Sequence, residues 1–192
     1  MKLTDRFGEA LMFAEKLHRA QTRKGNDIPY VAHLLAAAAT VLEHGGDEDT
    51  AIAALLHDAV EDQGGLKTRD AIEARFGQRV AALVMACTDS VDVDPAAKEP
   101  WEQRKRRHIE KLRSVNREVA LITIGDKLHN LNAMIRDVER DGRDSLDRFN
   151  APGQLVWYFE SIADALEAHA ETAPIAELRE RVRTLERLIL SA

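Results

Sequence analysis

A chain of 192 residues with 45% hydrophobic content is long enough for one domain with a sizeable core, and its formal net charge of −6 excludes the basic footprint of bulk nucleic-acid binding. Ala and Leu dominate the apolar residues, so helices are favoured over strands. A single cysteine, Cys87, excludes an internal disulfide and points to a reducing cytoplasm, while the absence of a long apolar run or signal-peptide pattern argues against a membrane partner.

Thr4 is the expected N-cap of a first helix running to about 20, with Phe7, Leu11, Ala14 and Leu17 as its apolar stripe. A polar connection follows over 21–27. Pro29 opens a second helix that carries His33 and stops at Gly45 and Gly46. Asp47 or Asp49 caps a third, which runs through His57 and Asp58 to Gly64 and Gly65. Thr68 is the expected cap of a fourth helix that breaks near Gly77, and a fifth reaches about 88 with Cys87 in its core. An acidic loop holding Pro95 and Pro100 spans 90–100. A basic helix covers 101–114, Asn116 opens the next to about 140, and 141–153 reads as irregular. Helices over 155–168 and 174–190 complete the chain. The last has the stripe Ile175, Leu178, Val182 and Leu185, which can pack on the body or on a second subunit, leaving a homo-oligomer open. The expected fold is all-α: a single multi-helix globule over 1–192, with its core at 5–170.

The third helix holds the most unusual chemistry. His57 and Glu61 are an i, i+4 pair, as are Asp58 and Asp62, so in a continuous helix all four would project to one side of an otherwise apolar segment. Buried acids need a partner to offset desolvation, and a metal ion is a common one. His33 in Tyr30-Val31-Ala32-His33-Leu34 and Asp126 in Ile124-Gly125-Asp126-Lys127-Leu128 are two further polar residues on apolar helices. A set of two histidines and two aspartates suits a first-row divalent ion such as Mn²⁺ or Fe²⁺ better than structural zinc.

In order along the chain stand Arg23-Lys24-Gly25, Pro29-Tyr30-Val31-Ala32-His33, Leu55-Leu56-His57-Asp58-Ala59-Val60-Glu61-Asp62 and Gly125-Asp126-Lys127-Leu128-His129-Asn130-Leu131. This series resembles the HD phosphohydrolase superfamily, and within it the hydrolase domain of RelA/SpoT-type proteins and the stand-alone small alarmone hydrolases, over roughly 5–170. The Glu61-Asp62 pair is its specific element. The resemblance implies an HD-domain fold and one Mn²⁺ held by His33, His57, Asp58 and Asp126. It implies that Glu61 and Asp62 orient or deprotonate the attacking water and protonate the leaving group. It places Asn130, Arg23 and Lys24 against a purine nucleotide, and Tyr158 beside it, although Tyr158 and Tyr30 also read as core. Of the run from Arg104 to Arg107, one or two cations can face a substrate bearing four or five phosphates, and Arg104 is the candidate.

Three positions depart from the family pattern: Leu34 in place of a proline, Thr123 in place of a lysine, and Thr88-Asp89-Ser90 in place of a fuller acidic pair. None removes a ligand or carboxylate. The implied reaction is Mn²⁺-dependent hydrolysis of the 3′-diphosphate of (p)ppGpp or (p)ppApp, releasing pyrophosphate. The alternatives are a broader nucleotide phosphohydrolase, acting on the phosphate of NADPH or on nucleoside monophosphates, and a metal-bearing alarmone sensor without turnover.

Overall fold

The computed structural model describes residues 2–92, 99–170 and 173–191. Among these residues ten α-helices form the fold, and the only extended pairing is an isolated bridge between Thr22 and Pro29. The all-α expectation holds. The helices are α1 (Asp5–His18), α2 (Val31–Glu43), α3 (Glu48–Leu55), α4 (Ala59–Asp62), α5 (Leu66–Phe76), α6 (Gln78–Cys87), α7 (Trp101–Leu112), α8 (Arg117–Asp141), α9 (Leu155–Ala165) and α10 (Ile175–Ser191). None of the described helices is long and apolar enough to cross a membrane.

Several ends follow from the capping residues. Thr4 accepts from the Arg6 amide at α1, and Asn116 accepts from the Val119 amide at α8. Asp47 Oδ1 accepts from both the amide and the hydroxyl of Thr50 at α3, and together with Arg79 this holds its carboxyl down at about 2 against the effect of burial. Gly77, at φ +91°, turns the chain between α5 and α6 in a conformation that favours glycine.

The structure corrects the expected boundaries in four places. The third helix is not continuous. It ends at Leu55, a turn carries His57 and Asp58, and the short α4 resumes at Ala59. The imidazole of His57 bonds Ala54 O through Nδ1 at 2.8 Å, occupying a carbonyl that a continuing helix would use. Thr68 is not a cap; it lies inside α5, where its hydroxyl donates to Gln63 O at 2.7 Å. The second helix begins at Val31 rather than Pro29. The stretch expected to be irregular holds two 3₁₀ turns, Arg143–Arg148 and Pro152–Gln154. Pro95 of the expected loop lies outside the described residues, while Pro100 precedes α7.

The core is built on α8. Leu121, Ile122, Ile124 and Leu131 are fully buried, as are Leu34 and Val41 of α2 and Ile52 and Leu55 of α3. Helix α8 packs most extensively on α2, and α10 lies along it too, burying the predicted residues Ile175, Leu178, Val182 and Leu185. Gly125 makes the α2–α8 crossing close: a Cβ there would stand 2.9 Å from Ala37 O. Glycine at this crossing brings Asp126 of α8 within reach of His33 of α2.

Candidate active site

His33 from α2, His57 and Asp58 from the turn between α3 and α4, and Asp126 from α8 converge at one point. Asp58 Oδ2 lies 3.1 Å from His57 Nε2 and 3.4 Å from His33 Nε2. Asp126 Oδ1 lies 3.4 Å from His33 Nε2 and 3.8 Å from His57 Nε2. Ligand atoms of His33, His57 and Asp58 all fall within 4.8 Å of one another. Because Ala54 O only accepts, Nδ1 of His57 carries the proton, and in the neutral ring the lone pair is on Nε2. That Nε2 is buried and lacks a hydrogen-bond partner among the described residues. A buried, unpartnered nitrogen facing two carboxylates fits a divalent cation.

The electrostatics agree. Burial opposes ionisation of Asp58 and Asp126, yet both carboxyls are held well below the usual range. Asp58 is held chiefly by His57 and His33, and Asp126 by Lys127 and then the two histidines. Burial likewise opposes charge on His57, but Asp58 and Asp126 raise it to about 9. His33 turns its other nitrogen to His129, Nδ1 to Nδ1 at 2.9 Å, and burial together with His33 and Arg23 pushes His129 down to about 4.

Glu61 and Asp62 of α4 line a cavity of about 210 Å³ together with His57, Asp58 and Asp126. The expected grouping is therefore present, although a turn rather than one helical stripe produces it. Asp62 Oδ2 accepts from Gln21 Nε2 at 2.9 Å. Gln21 Oε1 in turn accepts from Gln63 Nε2 and lies 2.7 Å from His18 Nδ1. Glu61 Oε1 stands 3.7 Å from Arg104 Nη1.

A second cavity, of about 360 Å³, shares Arg23, Tyr30, Lys105, Lys127, Asn130 and Tyr158 with the first. Arg23 Nη2 donates to Asn130 Oδ1, and Asn130 Nδ2 donates to Asp126 Oδ1, so the expected nucleotide residues are tied to the donor cluster. Lys24 lines the larger cavity, with Nζ 5.7 Å from the Phe149 ring centre. Tyr158 is buried in the core and also lines both cavities. Tyr30 does more than pack: its hydroxyl donates to Asp58 Oδ2 at 2.6 Å.

Arg104 is the one expected substrate contact that lines neither of these cavities. It is buried, and its guanidinium binds Asp89 at 2.6 Å. The cavity position goes to Lys105, which also binds Asp89, while Arg106 and Arg107 are exposed. Asp89 is held down at about 2 by Lys105 and Arg104 against the effect of burial. Sequence reasoning also missed Lys127, which binds Asp126 Oδ2 and stands 5.5 Å from the Tyr158 ring centre. Its signal was a lysine in an apolar run beside the last aspartate. His129 and His108 carried no comparable signal.

The model of the family described as the HD domain matches residues 10–149. The chain belongs to the HD domain family. Relatives within it include the guanosine-3′,5′-bis(diphosphate) 3′-pyrophosphohydrolase MESH1 of Xenopus tropicalis, 38% identical over 135 residues and covering 69% of each chain. The Homo sapiens protein of the same name is 36% identical over 135 residues, again with 69% of each chain. A Brucella melitensis GTP pyrophosphokinase rsh is 32% identical over 126 residues, which are 66% of this chain but 16% of that protein. A solved structure of a metazoan SpoT ortholog, described as hydrolysing ppGpp and playing a role in starvation responses, superposes with a TM-score of 0.73 at 28% identity, covering 97% of both chains. The HD domain resemblance to RelA/SpoT-type and stand-alone hydrolases seen in the sequence is thereby borne out.

Proposed function

We propose that this protein hydrolyses the 3′-diphosphate of guanosine alarmones, releasing pyrophosphate and leaving GDP or GTP. One observation carries the reading: in a single cavity the structure brings together a cluster suited to a divalent ion, the carboxylates Glu61 and Asp62, and the cations Lys105 and Lys127. The similarity to the MESH1 proteins supports the same substrate class.

His33, His57, Asp58 and Asp126 would hold the ion, with Mn²⁺ favoured by the mixed nitrogen and oxygen donors. A divalent ion there supplies Lewis acidity at the phosphorus and at the attacking water. Glu61 and Asp62 take the proton from water as it attacks the phosphorus on the ribose 3′-oxygen, and return one to that oxygen as its bond to phosphorus breaks. Gln21 fixes Asp62 for this task, and the Arg104 guanidinium stands 3.7 Å from Glu61 Oε1. Lys105 and Lys127 balance the phosphate charge. Arg23, Lys24 and Asn130 orient the nucleoside from the larger cavity, with Tyr158 between the two lysines. Adenine alarmones present the same 3′-diphosphate and belong to the same substrate class. The single, half-buried free cysteine, Cys87, accords with a cytoplasmic setting.

The test is product analysis by anion-exchange chromatography, with Mn²⁺-loaded protein offered ppGpp, ppApp, NADPH and GMP separately. Pyrophosphate with GDP or ADP is the expected result. Orthophosphate from NADPH or GMP alone would move the chain to the general phosphohydrolases, and no product with metal bound would make it a sensor.

A further inference from the structure

Three buried side-chain atoms on residues lining the smaller cavity lack a nitrogen or oxygen hydrogen-bond partner among the described residues: His57 Nε2, His108 Nδ1 and Thr123 Oγ1. The first belongs to the donor cluster. The other two have no part in the chemistry above. His108 stands on α7 one turn after Arg104, and Thr123 on α8 one turn before Asp126. They are 6% and 4% exposed, so neither atom is satisfied by bulk water. Both residues line the same cavity, and a buried group without a partner is kept at a cost to stability that a hydrogen bond to a ligand would offset.

The charges around them define that ligand. Burial, together with the ammonium groups of Lys127 and Lys105, pushes His108 down to about 3, so the imidazole is neutral at physiological pH. The Cys87 thiol, a weak hydrogen-bond partner of Thr123, is pushed up to about 12, chiefly by burial, and is uncharged. The wall therefore offers neutral hydrogen-bonding groups beside two ion pairs, Lys105–Asp89 and Lys127–Asp126, whose ammonium groups can turn to phosphoryl oxygens.

We infer that His108 and Thr123 form a neutral subsite for the outer phosphoryl group of the 3′-diphosphate and so select a diphosphate over a monophosphate. The inference rests on the reaction proposed above. The phosphorus under attack must lie beside Glu61, Asp62 and the donor cluster. The outer phosphoryl then extends into the rest of the same cavity, where α7 and α8 present these two groups. A 3′-monophosphate reaches the cluster but leaves them unpartnered.

The test compares wild type with His108→Leu, His108→Asn and Thr123→Val. Each is offered guanosine 3′,5′-bis(diphosphate) and the corresponding 3′-monophosphate 5′-diphosphate, and kcat/KM is measured for both. His108→Leu should lower kcat/KM for the diphosphate about ten- to a hundredfold, as expected for losing a hydrogen bond to a charged group, and leave the monophosphate unchanged. His108→Asn, which keeps a polar group near Nδ1, should recover part of the loss, and Thr123→Val should lose about tenfold on the diphosphate alone. Tm of His108→Leu should stay level or rise, because a purely structural histidine would lower it. If the leucine variant does not fold, the asparagine and valine variants carry the comparison. Equal losses on both substrates, or no loss on either, would overturn the subsite while leaving the reaction intact. If wild type releases no pyrophosphate, the proposed reaction fails. Calorimetry with inorganic pyrophosphate against orthophosphate then decides the subsite: weaker pyrophosphate binding in His108→Leu supports it, and unchanged binding overturns it.

Discussion

His129 Nδ1 lies 2.9 Å from Nδ1 of His33, so one of the two nitrogens donates to the other and the ring of His33 is held with Nε2 facing Asp58 and Asp126. Outer groups that orient a ligand histidine typically contribute about 10- to 100-fold in metal affinity. His129→Ala should therefore weaken Mn²⁺ binding by about that factor with the fold intact, read by calorimetry and circular dichroism. Unchanged affinity would mean that helix packing alone orients His33.

Asp58→Ala and Asp126→Ala should abolish binding of the ion, because each removes a carboxylate that faces both histidines of the cluster. Chelation of wild type should reproduce the loss of activity. Retained stoichiometric Mn²⁺ in either variant, measured by metal analysis after gel filtration, would contradict the assigned donor set.

Glu61→Gln and Asp62→Asn should keep the ion yet lower turnover by about two to four decades, the usual contribution of a positioned acid or base. Gln21→Ala should give a smaller fall, since it removes the amide that donates to Asp62 but leaves the carboxylate. Full activity in Asp62→Asn, measured as pyrophosphate release, would dismiss the proton-transfer role.

The metal-free protein should show a proton-linked affinity. His57 is raised from 6.5 to about 9 by Asp58 and Asp126, which outweigh burial, so below about 9 an arriving ion must displace its proton. Mn²⁺ affinity should rise with pH, by up to about tenfold per unit for one displaced proton, and level off near that value. The sign for stability is opposite. A raised histidine stabilises the metal-free fold fully below 6.5, and that contribution fades as pH rises through about 9. Thermal unfolding in chelator across this range checks the second sign, and titration calorimetry the first.

Gly125→Ala should destabilise the protein by about 1–3 kcal/mol, because the new methyl meets Ala37 O at 2.9 Å and Thr40 Cβ at 3.3 Å where α2 and α8 cross. The same strain should weaken metal binding by separating His33 from Asp126. Gly8→Ala on α1, where a Cβ meets nothing within 4 Å, is the control and should stabilise by about 0.5–1 kcal/mol. Denaturant midpoints for the two variants should move in opposite directions.

Much of the site was legible because its residues violate local expectation. An aspartate inside Leu121-Ile122-Thr123-Ile124-Gly125-Asp126 or a histidine inside Val31-Ala32-His33-Leu34 needs a reason that helical periodicity does not supply. The capping residues Thr4 and Asn116 likewise announce their helices, because a cap is a local hydrogen bond. The break after Leu55 was hidden, because it depends on a side chain, His57, taking a carbonyl of its own helix.

The sequence by itself determined the all-α character and most of the helices, the two histidines and two aspartates suited to a metal, and the Glu61-Asp62 pair, since composition, spacing and motif order are properties of the chain. Only the tertiary structure decided that Lys105 rather than Arg104 lines the cavity, and that Lys127, His108 and Thr123 join it. The physical reason is that adjacent residues on one helix are about 100° apart, and which of them faces inward is set by partners distant in sequence. Here Asp89, fifteen residues before Arg104, takes its guanidinium, and the packing of α7 against α9 sets Lys105 5.4 Å from the ring of Tyr158.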